Sequence, residues 1–453
     1  MHWGGRAPWL GWSQILEVEL APFEARDQRE FTRRFPSASN SGGLTQLLAA
    51  NYPLRQACGS PLLLAFVCLL YAEGKSVGGS NRVALYVTIV RQLLSGGWRN
   101  VTPPWVGNDA LEEEVVTFLE AAAWGIFSDT PEANRFTLTQ WKRAGEPPVQ
   151  DLLSILIRCG LLVPAGFDDI GNRCWSFLHR TLREFLAARA LARQPEATWL
   201  GEAKKHFWYE PEWVEVLTFL AAHVQDATSL IDALEGEQED IFQSILDLKV
   251  RLAAAARQID SARLDAIASE VEGLFLLIQR GGRGDLWGYY LAIVQAAGGG
   301  PLAEKVAKPL AEQLQHWVVR GSAAEALGQL VDARAVEALT ALVQDESWYV
   351  RMSAAEALGQ LGDTRAVEDV ARLLQDEHPS VRMRAAEALG QLGDPRTIEA
   401  LAGLLRDMSE SVRVRAVEAL EQMEAVSAVD ALVRLLRDES AFMRARAADA
   451  LGS

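Results

Sequence analysis

A period of 31 residues runs through the last third of the chain and decides what those residues can fold into. The block Ala323-Ala324-Glu325-Ala326-Leu327-Gly328 returns at Ala354–Gly359 and Ala385–Gly390, and in weaker form at Ala416–Glu421 and Ala447–Gly452. A Val-Arg pair keeps the same step at Val319-Arg320, Val350-Arg351, Val381-Arg382 and Val412-Arg413, with Met443-Arg444 in the same register. An acid closes each unit at Asp345, Asp376, Asp407 and Asp438. One such unit buries too little apolar surface to fold alone, so units of this length stack as a solenoid. Helix A runs from the Val-Arg pair through the Ala-Ala-Glu-Ala-Leu block, and Gly362-Asp363 and Gly393-Asp394 stop it. Helix B carries Ala335 to Leu339 and its equivalents. The acid before each inter-unit turn and the arginine after it predict a ladder of exposed pairs: Asp345 with Arg351, Asp376 with Arg382, Asp407 with Arg413. Such pairs give about 0–1 kcal/mol each. A stacked array offers a long surface to a partner and no chemistry of its own.

A length of 453 residues and a hydrophobic fraction of 49% leave room for several domains with sizeable cores. The formal charge is −16, and no stretch reads as a basic stripe. That argues against nonspecific binding to nucleic acid or anionic lipid. The four cysteines, Cys58, Cys68, Cys159 and Cys174, form no C-x-x-C pair and read as buried reduced thiols. No charged start with an apolar run marks a secretory signal, and the longest apolar run, Pro61 to Ala72, is too short to span a bilayer. The expected location is the cytoplasm.

Ahead of the array the grammar changes several times. In residues 1–35, Gln14 to Leu20 alternates as a strand and Glu24 to Phe35 reads as a charged helix. A lone strand needs a sheet, so this segment reads as the end of a truncated nucleotide-binding domain, and both ends of the sequence read as cut. Residues 36–105 form a helical domain, with helices Leu62–Ala72 and Arg82–Leu94. Residues 106–195 hold helices Leu111–Phe127 and Pro148–Cys159, a hairpin and helix Arg180–Ala192. The hairpin's strands are Leu161–Val163 and Cys174–Leu178, joined by the turn Asp168–Asn172. Helices followed by a two-stranded hairpin make a winged-helix pattern. Residues 196–300 are a helical linker domain with an aromatic cluster near Trp208, and residues 301–453 are the array.

No catalytic constellation is visible. Gly74-Lys75-Ser76 matches the tail of a phosphate loop, but residue 69 is Leu69 where the first glycine belongs, and the segment follows a helix. The six histidines show no metal-ligand spacing, and no nucleophile elbow is present. The chain is therefore expected to have no enzymatic activity, metal or cofactor of its own. Comparison of units picks out varying positions on helix B: Ala341, Arg372, Gly403, Arg434, and Gln344, Gln375, Arg406, Arg437. Arg372, Arg406, Arg434 and Arg437 are candidates for a cationic strip that docks an acidic partner. The competing reading is unconstrained surface, because Glu368, Glu399 and Asp430 lie close by.

Period, Ala-Ala-Glu-Ala-Leu-Gly block and Val-Arg pair together resemble the HEAT-repeat family in its short bilin-lyase HEAT-like form, over residues 301–453. That resemblance implies a protein ligand on a concave face lined by helix B. A second resemblance rests on Val18 to Phe23, Cys58 to Leu64, Trp175 to Ala188 and Glu212 to Leu217. Their order is similar to that in the NACHT group of STAND signalling NTPases, over about residues 1–225. It implies that Pro61 would press on the adenine of bound nucleotide and that His179 would donate to the β-phosphate of ADP, with Arg6 a remnant of a sensor arginine. ADP or ATP would then bind only in a complete protein that supplies the nucleotide-binding core, and oligomerisation would follow activation. Taken alone, Pro61 is a helix-start proline and His179 a helix N-terminal histidine bonded to nearby backbone.

The expected fold is mainly α: a helical domain plus winged helix, then an α-solenoid of HEAT repeats. The expected function is the regulatory and ligand-sensing part of a NACHT-type signalling ATPase. The alternatives are a stand-alone HEAT-repeat scaffold, a bilin lyase, and DNA binding through Arg180, Arg183, Arg189 and Arg193.

Overall fold

Alanine-rich helices that end on glycine dictate the architecture of the carboxyl-terminal third. In the computed structural model, helix A of one unit spans Trp348–Leu361 and stops at Gly362, whose φ of 69° lies in the left-handed region. Asp363 then accepts a hydrogen bond from the Arg365 N–H, capping a 3-10 turn, Thr364–Ala366, that leads into helix B at Val367–Arg372. Helix B tightens into a 3-10 turn at Leu373–Gln375 and leaves through Asp376 in an extended conformation. The next unit repeats every step: Pro379–Leu392, Gly393 at φ 67°, Asp394 capping Pro395–Thr397, Ile398–Gly403 and Leu404–Arg406. Identical local signals give identical local structure.

The structure describes residues 23 and 25–35, positions 43, 44, 47, 48 and 54, and residues 58–452 apart from 76, 78–81, 209, 238, 241–242, 282–283, 299–300, 331–332, 424–428 and 438–439. The expected strand Gln14–Leu20, the Val18 to Phe23 motif as far as Pro22, and Arg6 lie outside the described residues. The chain is mainly α. It divides into two compact units, one built chiefly from residues 53–237 and the other chiefly from residues 260–453.

Within the second unit, successive A helices stack at the shortest distance their backbones allow. A Cβ placed on Gly359 would lie 2.7 Å from the Ala388 Cα, and the same contact recurs between Gly328 and Ala357, and between Gly390 and Ala419. Ala354, Ala355, Ala357 and Leu358 are wholly buried beside it, as are Leu327 and Leu389 in the flanking units. Gly359→Ala is therefore expected to destabilise by about 1–3 kcal/mol through overpacking, even though alanine is the better helix former by about 1 kcal/mol. Gly273, in helix Ser261–Gly281, has open space around it. Gly273→Ala is expected to stabilise instead, and the two urea midpoints give the sign of each.

The first unit contains a three-stranded antiparallel sheet of order β1-β3-β2, where β1 is Arg135–Thr137, β2 Leu162–Phe167 and β3 Arg173–Phe177. The hairpin turn forms as the sequence predicts. Asp168 accepts from the N–H groups of Ile170 and Asn172 at 3.1 and 2.7 Å, and Gly171 takes φ 88°. Helices Asp109–Asp129, Leu152–Cys159 and Arg180–Ala192 accompany the sheet in chain order, the winged-helix arrangement. Strand β1 is an addition to the two strands expected. Phe136 pairs opposite Trp175, so a distant partner creates β1 rather than any local alternation. The core here is aromatic: Phe136 stacks on Trp141 at 5.7 Å and lies 5.8 Å from Phe177. All four cysteines are free and buried, and burial pushes the Cys58 thiol up to about 12.

Candidate docking surface on the repeat array

The arginine of each Val-Arg pair is held from two sides. Arg351 makes a bidentate pair with Asp376, Nε to Oδ2 at 2.6 Å and Nη2 to Oδ1 at 2.9 Å. Its Nη1 donates to the carbonyls of Asp345 and Glu346 at 2.9 and 3.1 Å. Arg382 repeats the pattern with Asp407 and with the carbonyls of Asp376 and Glu377, and Arg320 pairs with Asp345. This corrects the expected register. The acid just before each arginine supplies only its carbonyl, because its carboxylate already binds the preceding arginine and caps the following turn, as in Asp345 with Ser347 at 2.9 Å. The pairs are also largely shielded rather than exposed, with side-chain exposures from 10% and 7% for Arg351 and Asp376 to 27% and 8% for Arg320 and Asp345. The Arg382 guanidinium holds the Asp407 carboxyl below its ordinary range.

Besides the arginines of this ladder, helix A carries a stripe at i, i+4, i+7 and i+11. In the second full unit it reads Tyr349, Ser353, Glu356, Gln360, and the glutamate returns in every unit through Glu418. The second position changes along the array. It is Ser322 and Ser353 in the first two units, then Arg384, Arg415 and Arg446. Each arginine bridges glutamates. Arg384 lies 3.3 Å from Glu356 and 2.8 Å from Glu387, and Arg415 lies 3.7 Å from Glu387 and 2.9 Å from Glu418. Arg446 reaches Glu418 at 3.5 Å and Glu421 at 3.1 Å. Glu325 has a different donor, the Trp287 indole N–H at 3.2 Å. Burial raises the carboxyls of Glu325 and Glu356 above their ordinary value.

The helix-B arginines occupy two separate registers. Arg372 ends the α-helical part of its helix, is exposed, and is paired with Asp369. Arg406 stands in the final 3-10 turn of the next helix B, exposed and without an ion pair among the described residues. Arg437 is exposed, and the side chain of Arg434 lies outside the described residues.

In the first unit, Pro61 opens helix Pro61–Ala72 after Ser60, and the described geometry is that of a helix-start proline. Lys75 of the Gly74-Lys75 pair is bound to Glu73 at 2.8 Å. His179 is the N-cap of helix Arg180–Ala192: its Nδ1 accepts from the Thr181 N–H at 3.2 Å and stands 2.7 Å from the Thr181 hydroxyl. The Tyr86 hydroxyl donates to that same Thr181 oxygen at 2.7 Å. The Thr181 proton therefore points to Nδ1, which leaves the imidazole protonated at Nε2. The four arginines weighed for DNA contact all have internal partners: Arg180 with Glu184, Arg189 and Arg193 with the buried Glu120, and Arg183 with backbone carbonyls. Nothing in local composition distinguishes them from surface arginines, so sequence reading missed this network.

Burial, with the nearby Arg82 charge, pushes His179 down to about 4, and burial does the same to His223 beside Arg189 and Arg257. The unfolded state binds these protons first, so stability is complete above the ordinary histidine value and falls as the pH drops towards 4. Each histidine is expected to remove about 1–2 kcal/mol between pH 7 and about pH 5. The variants His179→Asn, which keeps an N-cap, and His223→Gln should flatten the pH dependence of the urea midpoint relative to the parent.

Among the described residues, no group of His, Cys, Asp and Glu could hold a metal ion, and no helix is long and apolar enough to cross a membrane. Residues 307–371, 359–407 and 401–453 match the family described as HEAT repeats. No curated protein matches the chain. Among solved structures, an engineered protein is similar over 46% of this chain and 97% of its own, at 22% identity and a TM-score of 0.31. The CpcE and CpcF complex of phycocyanin lyase from Nostoc sp. PCC7120 is similar over 42% and 76%, at 22% identity and a TM-score of 0.29. A designed armadillo repeat protein in complex with the peptide (KR)4 is similar over 40% and 98%, at 19% identity and a TM-score of 0.30.

Proposed function

We propose that this chain is a protein-interaction scaffold whose HEAT repeats dock a polypeptide partner. The observation that carries the reading is the array itself: A helices in backbone contact at Gly328, Gly359 and Gly390, tied from unit to unit by half-buried Arg-Asp pairs. Such a framework holds a long row of side chains at fixed spacing, which suits an extended partner. The test is affinity capture on the full chain, with Leu358→Asp as a variant whose array is broken. Proteins retained by the parent and lost by the variant support the reading. Equal retention by both overturns it.

A finer reading assigns residues 1–225 to the switch of a NACHT-type signalling ATPase. The observation in its favour is His179, fixed on Thr181 through Nδ1, with Nε2–H making no hydrogen bond among the described residues and so free to donate to an acceptor such as a phosphate oxygen. This reading needs a nucleotide-binding core with a phosphate loop. Its test is the DNA upstream of Met1: a continuing frame that encodes G-x-x-x-x-G-K-[ST] supports it, and its absence ends it.

A further inference from the structure

The stripe on helix A contains its own template for a ligand. Three times along the array an arginine from one unit inserts beside the glutamate of the unit before: Arg384 at Glu356, Arg415 at Glu387, Arg446 at Glu418. The remaining junction breaks the rule. Between Glu325 and Glu356 the bridging position is Ser353, far smaller than the arginine that stands there in later units. Its hydroxyl has no hydrogen-bond partner among the described residues, although Ser353 is only 4% exposed. Burial raises the proton affinity of Glu325 and the charge of Glu356 adds to it, while the Trp287 hydrogen bond and the more distant charge of Arg384 act the other way.

The surroundings of that junction differ from the rest of the array in the same direction. Tyr349, one turn before Ser353 on the stripe, is 40% exposed and lies against Gly321, where a Cβ would fall 2.4 Å from its ring. The positions equivalent to Trp348 and Tyr349 further along are Pro379 and Ser380, then Glu410 and Ser411. Tyr349 and the small Ser353 on one side of the helix, with Glu356 on the same helix and Glu325 on the helix before, offer a place to a planar cation, which stacks on aromatic faces and pairs with carboxylates at once.

We propose that the Ser353 junction binds an arginine side chain of a partner polypeptide, which fills in trans the place that Arg384, Arg415 and Arg446 fill in cis. Glu325 and Glu356 pair with the guanidinium, and Tyr349 covers it. The proposal rests on the scaffold reading and gives its partner a chemistry: a segment with an accessible arginine. Arginine is favoured over lysine because two carboxylates of different units must be bridged by one planar group, as Arg384 and Arg415 do within the chain.

The test uses the full chain and a fluorescein-labelled hexa-arginine peptide at low salt, followed by anisotropy, with the uncharged hexa-citrulline peptide alongside. Ser353→Arg should fill the junction and weaken hexa-arginine binding about tenfold, as loss of one charge-assisted pairing does, and Glu325→Gln should act in the same direction. Gln375→Arg makes the same change in net charge at a register where Arg406 and Arg437 already stand, and should leave binding unchanged. Citrulline should not compete. The proposal is overturned if the parent does not bind the probe, if Ser353→Arg and Gln375→Arg weaken it equally, if Glu325→Gln binds as the parent does, or if the citrulline peptide binds as well. A chain that still captures a protein lost by Leu358→Asp, yet shows no such arginine binding, leaves the scaffold reading standing and ends this one alone.

Discussion

Leu358→Asp is expected to unfold the middle of the array at neutral pH and to cost about 5 kcal/mol or more. Leu358 is wholly buried among Ala354, Ala355 and Ala357. Removing its side chain forfeits about 2–5 kcal/mol of burial and packing, and the new carboxylate adds the penalty of a buried charge with no partner. Because stacked units draw stability only from themselves and their neighbours, the damage should stay local at first. Circular dichroism should show an early transition carrying part of the helical signal, followed by the transition of the remaining structure. The carboxyl introduced into this apolar site has its proton affinity raised in the folded state. The variant should therefore recover part of its stability as the pH falls, which separates buried charge from simple cavity formation. A single melt that overlays the parent would show that this face of helix A is not core.

How much of this is legible in the sequence depends on how far apart the deciding residues lie. Helix Arg180–Ala192 begins and ends where its sequence predicts, because its N-cap, His179, is a neighbour. Helix A ends on Gly362 and Gly393 for the same local reason. The Arg-Asp ladder has a different register from the expected one. The obvious partners, such as Asp345 and Arg351, are close in sequence, whereas the bidentate pair Arg351–Asp376 closes across most of a unit. Strand β1 at Arg135–Thr137 exists only because β3 lies beside it. The helix-A stripe is hidden by its regularity. A glutamate repeated in every unit reads as a solvated face, and the variable arginines of helix B stand out instead, although Arg372 is paired within its own helix. The usable signal is the change from Ser322 and Ser353 to Arg384, Arg415 and Arg446, which marks the units whose own helix A supplies no bridging arginine.

Arg183→Met should produce the largest loss in the first unit, about 3–5 kcal/mol, from a position that looks like any helix-surface arginine in the sequence. Arg183 is wholly buried. Its Nη1 donates to the carbonyls of Thr130, at 3.2 Å, and Ala133, its Nη2 donates to that of Pro131 at 2.6 Å, and its guanidinium carbon lies 5.2 Å from the Phe127 ring centroid. These carbonyls belong to the turn that leaves helix Asp109–Asp129, where unsatisfied acceptors and the negative end of the helix dipole both favour a cation. Burial pushes the Arg183 side chain down to about 10, still far above neutrality, so the group remains charged and its donors remain available. Methionine keeps most of the volume and the contact with Phe127 but leaves the Pro131 and Ala133 carbonyls without a donor, while that of Thr130 keeps only the Ala133 N–H at 3.2 Å, at about 1–3 kcal/mol for each carbonyl that water cannot reach. Arg183→Lys tests the geometry separately: one ammonium cannot face three carbonyls spread along a turn, so most of the loss should persist although the charge is kept. Tryptophan fluorescence reports the outcome, since Trp141 and Trp175 sit in the aromatic core of the same domain. If the urea midpoint of Arg183→Met equals that of the parent, the turn at Thr130–Ala133 is held by something other than this guanidinium, and the winged helix owes its position to apolar packing alone.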